Sequence, residues 1–304
     1  MVRSVLTPKE KIRQAGQLET KLAILASEYL TVDATVKYYR AYLKLTSETI
    51  VEAFHQKLPV TALLKARSNS IDKLLCHLWQ LQRGDKEQQL TLIAVGGYGR
   101  AELHPYSDID LLLLYSGELS TFEHVIQSFI TLLWDTGLEI GHSVRSVKDC
   151  VTQAKTDITI ATSLMEARPL IGNNELFEKM QELTGPENIW SGETFFAAKY
   201  QEQRDRYLKF QKTSYSLEPN IKKSPGTLRD IQMVDWVATR HFHVNSLEQL
   251  IGLGFLTKSE FMTIERCEIF LWEIRFALHI VAGRGEDRLL FDHQRPVADM
   301  LGLT

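Results

Sequence analysis

The chain has 304 residues, 44% of them hydrophobic and 24% charged, with 17 Gly and 8 Pro. That composition excludes a disordered, collagen-like or low-complexity polymer and suggests about two domains at roughly 150 residues each. Thirty-eight acidic against 35 basic residues leave a formal net charge of -3, so no strongly basic DNA or RNA footprint exists. Cys76, Cys150 and Cys267 are far apart and lack CxxC spacing. They argue against a disulfide framework or zinc cluster and point to a reducing compartment. The N-terminus lacks the apolar stretch of a secretory signal, and no segment approaches the ~20 apolar residues that span a bilayer. A cytoplasmic protein without membrane contact is expected.

Residues 1–85 read as helical. Thr7 caps a helix beginning at Pro8, with Glu10 closing a capping box and Leu22, Ile24, Leu25 and Leu30 on its apolar side. A second pattern covers about 36–56 and stops before Pro59; a third runs from about 61 to 81. The character changes at Leu90. Leu90 to Val95 is a short apolar run ended by Gly96-Gly97, and Ile109 to Tyr115 is another; both read as buried strands. Ser120 and Glu123 suggest a capping box for a helix carrying Phe122, Val125, Ile126, Phe129, Leu132 and Leu133 and ending at Gly137. Leu138 to Val144 reads as a third strand, Ser146 begins another helix, and a fourth strand is expected around 166–171. From Asn173 onward the pattern is helical, apart from a polar loop at 218–226 with two prolines. This reading divides the chain into a helical segment (1–85), an α/β domain (86–172) and a second helical domain (173–304). The final stretch ends without a stop signal, as an N-terminal fragment would.

The chemistry-bearing segment is Gly96-Gly97-Tyr98-Gly99-Arg100 followed by Ser107-Asp108-Ile109-Asp110. A Walker loop needs a Gly-Lys-Ser/Thr ending, and a Rossmann fingerprint needs GxGxxG with an acid about 20 residues on. Neither is present. A strand, a Gly-Gly turn, a short helix and an Asp-x-Asp strand fit the active-site pattern of polymerase-β-like nucleotidyltransferases. Asp108 and Asp110, at i and i+2 of a strand, share one face. Two carboxylates so close call for a cation, and hard oxygen ligands favour Mg²⁺. Such an ion stabilises an in-line phosphoryl displacement. Gly96 and Gly97 let backbone N–H groups approach a triphosphate, with Ser107 and Arg100 as further donors.

The run GGYGRAELHPYSDIDLLLLY closely resembles the bacterial protein-PII uridylyltransferase/uridylyl-removing enzymes. Three more runs match that family: 137–145 (GLEIGHSVR), 217–231 (LEPNIKKSPGTLRDI) and 283–294 (GRGEDRLLFDHQ). The resemblance implies an α+β fold: a polymerase-β-like nucleotidyltransferase domain with a small mixed sheet, flanked by helical segments. It implies transfer of UMP from UTP to a tyrosine hydroxyl of the PII signalling protein. Asp108 and Asp110 match the family's metal-binding carboxylates, and Gly96 and Gly97 its nucleotide-binding glycines. A third carboxylate is expected on a neighbouring strand, Glu139 first and Glu166 as runner-up. Arg145 is a candidate for a phosphate contact. Lys222, Lys223 and Arg229 are candidates for the triphosphate or an acidic partner, or are simply solvated, and Arg229-Asp230 is alternatively an internal ion pair. Thr227 stands where the family usually has glycine, and threonine resists a positive φ. His241 and His243 lack a third ligand and read as structural; Trp134, Trp236 and Trp272 read as core. Family members continue into phosphohydrolase and ligand-sensing domains that these 304 residues do not contain. The alternatives are adenylyl transfer to glutamine synthetase and a nucleotide-binding regulatory module without turnover.

Overall fold

The computed structural model describes residues 32–82, 87–210 and 217–303. The expected helix beginning at Pro8 lies outside them. Helix α1 (Val32–His55) buries Tyr39, Tyr42, Ile50 and Phe54 at helical spacing. Lys57, at φ 60, turns the chain before Pro59. Helix α2 (Val60–Gln82) follows at once, burying Leu63, Leu64, Ile71, Leu74, Leu75, Leu78 and Trp79 along one stripe.

Four strands form one mixed sheet: β1 (Leu90–Ala94), β2 (Ile109–Tyr115), β3 (Ile140–Ser146) and β4 (Arg168–Gly172), in the order β3-β2-β1-β4. Strand β1 is antiparallel to both β2 and β4, whereas β2 and β3 run parallel. Every residue of β1 is buried, as an inner strand covered on both faces requires. Its side chains alternate. Leu90, Leu92 and Ala94 pack with α1, α2 and α4 (Glu123–Asp135). Ile93, with Leu112 and Leu114 of β2, packs on α5 (Val147–Thr156), α6 (Ile158–Met165) and α7 (Asn174–Leu183). The sheet is thus the middle of three layers, an α+β arrangement with helices on both faces.

Local signals were partly overridden. Ser146 does cap α5, in a capping box with Asp149. The expected Ser120–Glu123 box does not form: Leu119–Thr121 make a 3₁₀ turn, and α4 starts after Phe122 without a side-chain cap. Burial of Phe122 in the sheet core sets that start instead. The third strand begins at Ile140, leaving Leu138 buried ahead of it, and the fourth begins at Arg168, leaving Glu166 as the C-cap of α6.

The remaining helices are α8 (Gly192–Lys209), α9 (Leu228–Phe242), α10 (Gln249–Gly252), α11 (Lys258–Ala282) and α12 (Phe291–Leu301). A Thr257–Glu260 capping box opens α11, and Gly283 at φ 65 ends it. Phe276, Ala277 and Leu278 of α11 and Val297 of α12 pack with Ile50 and Phe54 of α1 and Leu63 and Leu64 of α2. The α1–α2 hairpin therefore touches the sheet at one end and the C-terminal helices at the other. No described helix is long and apolar enough to cross a membrane.

Arg240 of α9 ties the two halves on the opposite side. Its buried guanidinium donates to the carbonyls of Trp190 (2.9 Å), Thr184 (3.0 Å), Gly185 (3.3 Å) and Ile189. Burial without a carboxylate partner pushes its pKa down to about 10. Arg240→Met leaves these carbonyls without donors, which costs about 3 kcal/mol or more. A melting curve is expected to show Tm lower by roughly 6–12 °C; an unchanged Tm would show that the clamp contributes nothing.

Candidate active site

The chain leaves β1 through Val95 and makes a single helical turn, α3 (Gly96–Gly99). Gly96 sits at φ 60, and a Cβ there would lie 3.2 Å from Asp110 Oδ2. Gly99 is under a harsher constraint, since its Cβ would fall 2.1 Å from the carbonyl oxygen of Glu166. Gly97 is freer: its Cβ would meet Arg100 Nη2 at 3.7 Å, an ordinary contact. The turn closes as a Schellman motif, with Glu102 N–H donating to Gly97 C=O (2.9 Å) and Ala101 N–H to Tyr98 C=O (3.0 Å). Ala101, at φ 59, holds the left-handed position that glycine usually fills.

A buried polar network fixes this turn from behind. Tyr98 is fully buried and donates its hydroxyl to Asp72 of α2 at 2.6 Å. Arg168 of β4 makes a two-pronged pair with the same carboxylate (2.7 and 3.1 Å) and donates to the carbonyls of Gly99 (3.2 Å) and Tyr98 (3.3 Å). Neither Asp72 nor Arg168 carries a local motif signal, because they meet only through the fold.

The acids lie at the adjacent end of β2. Val95 N–H donates to Asp110 C=O at 3.0 Å, which brings the glycine turn against the acidic strand. The Asp110 carboxylate nests between Gly96 and Gly141, whose Cβ would lie 2.5 Å from Asp110 Oδ1. Gly141 pairs with Asp110 across the β2–β3 ladder. Asp108 precedes β2 and is exposed; Glu139 precedes β3, is exposed, and accepts the Ile109 N–H at 3.1 Å through its carbonyl. Burial, then the neighbouring Asp108, holds the Asp110 carboxyl above its ordinary range, and Lys222 partly offsets this. Among the described residues no three His, Cys, Asp or Glu side chains form a complete metal cage. The donor set of Asp108 and Asp110, with Glu139 beside them, is oxygen only, which suits a hard divalent ion completed by water and ligand oxygens.

All these groups line one cavity of about 550 Å³: Gly96, Gly97, Arg100, Ser107, Asp108, Asp110 and Glu139. Its opposite wall comes from α8, α9, the 218–230 loop and the segment after α11. Ser107 Oγ is buried there without a hydrogen-bond partner among the described residues. Arg100 is spoken for: it pairs with Glu102 (2.8 Å) and Glu166, whose carboxylate also accepts the Trp236 indole N–H at 2.6 Å. Burial opposes its charge, but Glu102 and Glu166 more than offset this and raise its pKa. Glu166, on the cavity lining, thus cross-links the glycine turn to α9 through its Oε1.

Arg145 lies elsewhere. It pairs with Leu114, four positions beyond the Asp110–Gly141 pair, and does not line the cavity. Thr227 takes φ -115, and Gly226 supplies the positive φ of 78. Asp230 does not pair with Arg229; it binds Arg206, the Tyr207 hydroxyl (2.5 Å), the Gln203 amide (3.1 Å) and Gly226 N–H (2.6 Å). His241 packs against Gly192, and His243 is the left-handed C-cap of α9. Trp236 is buried and Trp272 half-buried, but Trp134 is 54% exposed, against the core expectation. It flanks a shallow second opening onto Asp108, Asp110 and Glu139.

Residues 194–304 match the family model described as GlnD PII-uridylyltransferase. The chain is 43% identical over 288 residues to a bifunctional uridylyltransferase/uridylyl-removing enzyme of Azotobacter vinelandii, covering 94% of this chain and 31% of the relative. The same identity and coverage relate it to the enzymes so named in Pseudomonas aeruginosa UCBPP-PA14 and Pseudomonas fluorescens SBW25. The chain therefore spans about a third of the length of these curated relatives.

The glycine geometry separates two adjacent substitutions. Gly99→Ala drives a Cβ into the Glu166 carbonyl and is expected to cost at least about 3 kcal/mol. Gly97→Ala is expected to stay within about 1 kcal/mol of wild type. Chemical denaturation of both variants checks this, and equal losses would contradict the packing described.

Proposed function

We propose that this chain, whose residues 194–304 match the family model described as GlnD PII-uridylyltransferase, is a nucleotidyltransferase. It moves UMP from UTP to a tyrosine hydroxyl of a PII protein and releases pyrophosphate. The observation that carries this reading is the convergence on one cavity of the glycine turn, Ser107 and the Asp108–Asp110 pair.

Asp108 and Asp110 are the residues that would hold Mg²⁺, with Glu139, on the same cavity lining, to join them or to take the acceptor proton. When bound, the ion supplies charge neutralisation at the phosphates and favours an ionised acceptor oxygen. The protein contributes position. The Gly96 and Gly97 N–H groups open a helical turn and have no intrahelical acceptor, and Ser107 Oγ offers an unused hydroxyl. Arg100 is assigned an indirect part, holding the turn to Glu166. Arg145 receives no role in this reading.

An in-line displacement brings the acceptor to the side of the phosphorus opposite the leaving pyrophosphate. The second opening beside Trp134 reaches the same carboxylates from outside the main cavity. It suits an acceptor segment of a protein, for which an exposed tryptophan is a strong anchor.

Two results are expected. Asp108→Asn and Asp110→Asn lower UMP transfer to PII at least about 100-fold with an unchanged melting curve. Intact-protein mass of PII after incubation with UTP or ATP reads this; full activity in either variant overturns the site. ATP as the preferred donor would favour adenylyl transfer, and UTP binding without any product would favour a regulatory module. Trp134→Ala is expected to raise KM for PII about tenfold or more and leave UTP affinity unchanged. Loss of UTP affinity instead would place Trp134 on the nucleotide side.

A further inference from the structure

Six basic side chains line the cavity: Arg100, Lys199, Lys222, Arg229, Arg275 and Arg284. Four are paired with carboxylates. Arg100 holds Glu102 and Glu166, Lys199 holds Glu202 (2.9 Å), Arg275 holds Asp287 (2.7 Å) and Arg284 holds Glu286 (2.9 Å). Lys222 and Arg229 differ. Among the described residues neither charged group makes a hydrogen bond or an ion pair, and Arg229 only rests on the Trp236 ring, 5.1 Å from its centroid.

Both side chains are half-buried, Lys222 on the loop and Arg229 in the first turn of α9 that follows it. Arg229 N–H donates to Lys222 C=O at 2.9 Å, which fixes the two residues relative to each other. The Asn220 side chain accepts the N–H groups of Lys222 (3.0 Å) and Lys223 (2.7 Å). Ile221 N–H donates to Asp287 C=O (2.7 Å) and Leu289 N–H to Pro219 C=O (2.9 Å), pinning the loop to the segment after α11. Lys223, next in sequence, is exposed and points away from the cavity lining.

The surroundings disfavour these two charges. Burial, then the field of Arg275, pushes Lys222 down to about 8, and burial, then Arg100, holds Arg229 below the ordinary guanidinium range. The positive field of Lys222 reaches Asp110, so the lysine and the acid pair address the same space. A fold that sets five carboxylates against four cations and none against the other two leaves room for an anion. Unpaired charge out of water is costly until such an anion arrives.

On the nucleotidyl-transfer reading, we infer that Lys222 and Arg229 bind the β- and γ-phosphates of the nucleoside triphosphate, the part that departs. The acceptor oxygen forms its bond to the α-phosphorus as the bond from that phosphorus to the bridging oxygen breaks. The electron pair leaves on pyrophosphate, next to these two cations, and the hydroxyl proton passes to Glu139 or to water.

The test uses the full chain with Mg²⁺ and compares UTP with UMP, which lacks the two phosphates in question. Calorimetric titration of Lys222→Met and Arg229→Gln is expected to show UTP affinity at least tenfold weaker and UMP affinity within twofold of wild type. Without nucleotide, Tm of Lys222→Met is expected to equal or exceed that of wild type, because an unpaired cation has been removed. Equal losses for UTP and UMP, unaltered UTP affinity, or a fall in Tm of more than a few degrees would each overturn the assignment. A wild-type chain that binds neither UTP nor ATP would overturn the nucleotidyl-transfer reading itself, and this inference with it.

Discussion

The site depends on one buried carboxylate. Glu166, at the end of α6, accepts Arg100 from the glycine turn and the Trp236 indole N–H from α9. A carboxylate removed from water needs strong donors or a neutralising partner, and both donors meet on its Oε1. Here those donors come from opposite sides of the cavity, so satisfying one charge fixes the distance between the glycine turn and the helical wall. The same stretch of chain constrains Gly99, which a side chain would drive into the Glu166 carbonyl. Main chain and side chain of one residue thus set how closely the turn approaches α6 and how it meets α9.

A second constraint works on the turn from the sheet side. Asp72 receives Tyr98 and Arg168, and Arg168 in turn binds the carbonyls of Tyr98 and Gly99. Charge-assisted, two-pronged bonds of this kind are directional as well as strong. With α2 and β4 both attached, the turn has little freedom to follow a ligand. Preorganised donors need no rearrangement at the moment of reaction, and on the proposed reading this is what a rigid glycine turn contributes beside the acid pair.

What the sequence made legible is what local chemistry determines. The two inner strands, the helix stripes of α1 and α2, the Ser146 cap and the Asp-x-Asp face all follow from residue type and period. So does Gly96, whose positive φ a Gly-Gly turn announces. What depended on partners far along the chain was not legible. Arg100 reads as a free phosphate donor until Glu166, 66 residues on, is seen to hold it. Asp230 sits beside Arg229 in sequence yet pairs with Arg206 on another helix. Trp134 and Trp236 occupy equivalent-looking helical patterns, but one is exposed and the other is covered by Phe195 and Lys199 of α8 and Ile158 and Met165 of α6. Periodicity tells which residues share a face, not whether anything covers it. Thr227 shows the converse: threonine where the resembled enzymes usually have glycine looks disruptive, yet it takes an ordinary φ of -115 because Gly226 takes the turn.

The charges around the cavity are sorted rather than mixed. Asp108, Asp110 and Glu139 gather at the sheet end; the unpaired Lys222, on the loop, and Arg229, in the first turn of α9, stand across from them. Each wall is unfavourable by itself, Asp110 through burial and the neighbouring Asp108, the cations through burial without partners. They cannot cancel by direct pairing, since the loop is pinned to the segment after α11 and the acids to the strand ends. A ligand that is positive at one end and negative at the other relieves both at once. A divalent ion on a triphosphate has that form, and neither component alone does: bare metal leaves the cations unpaired, and bare triphosphate brings more negative charge to the acids. On the proposed reading, metal and nucleotide therefore bind with mutual reinforcement, and the coupling arises from the fixed separation of the two charged walls.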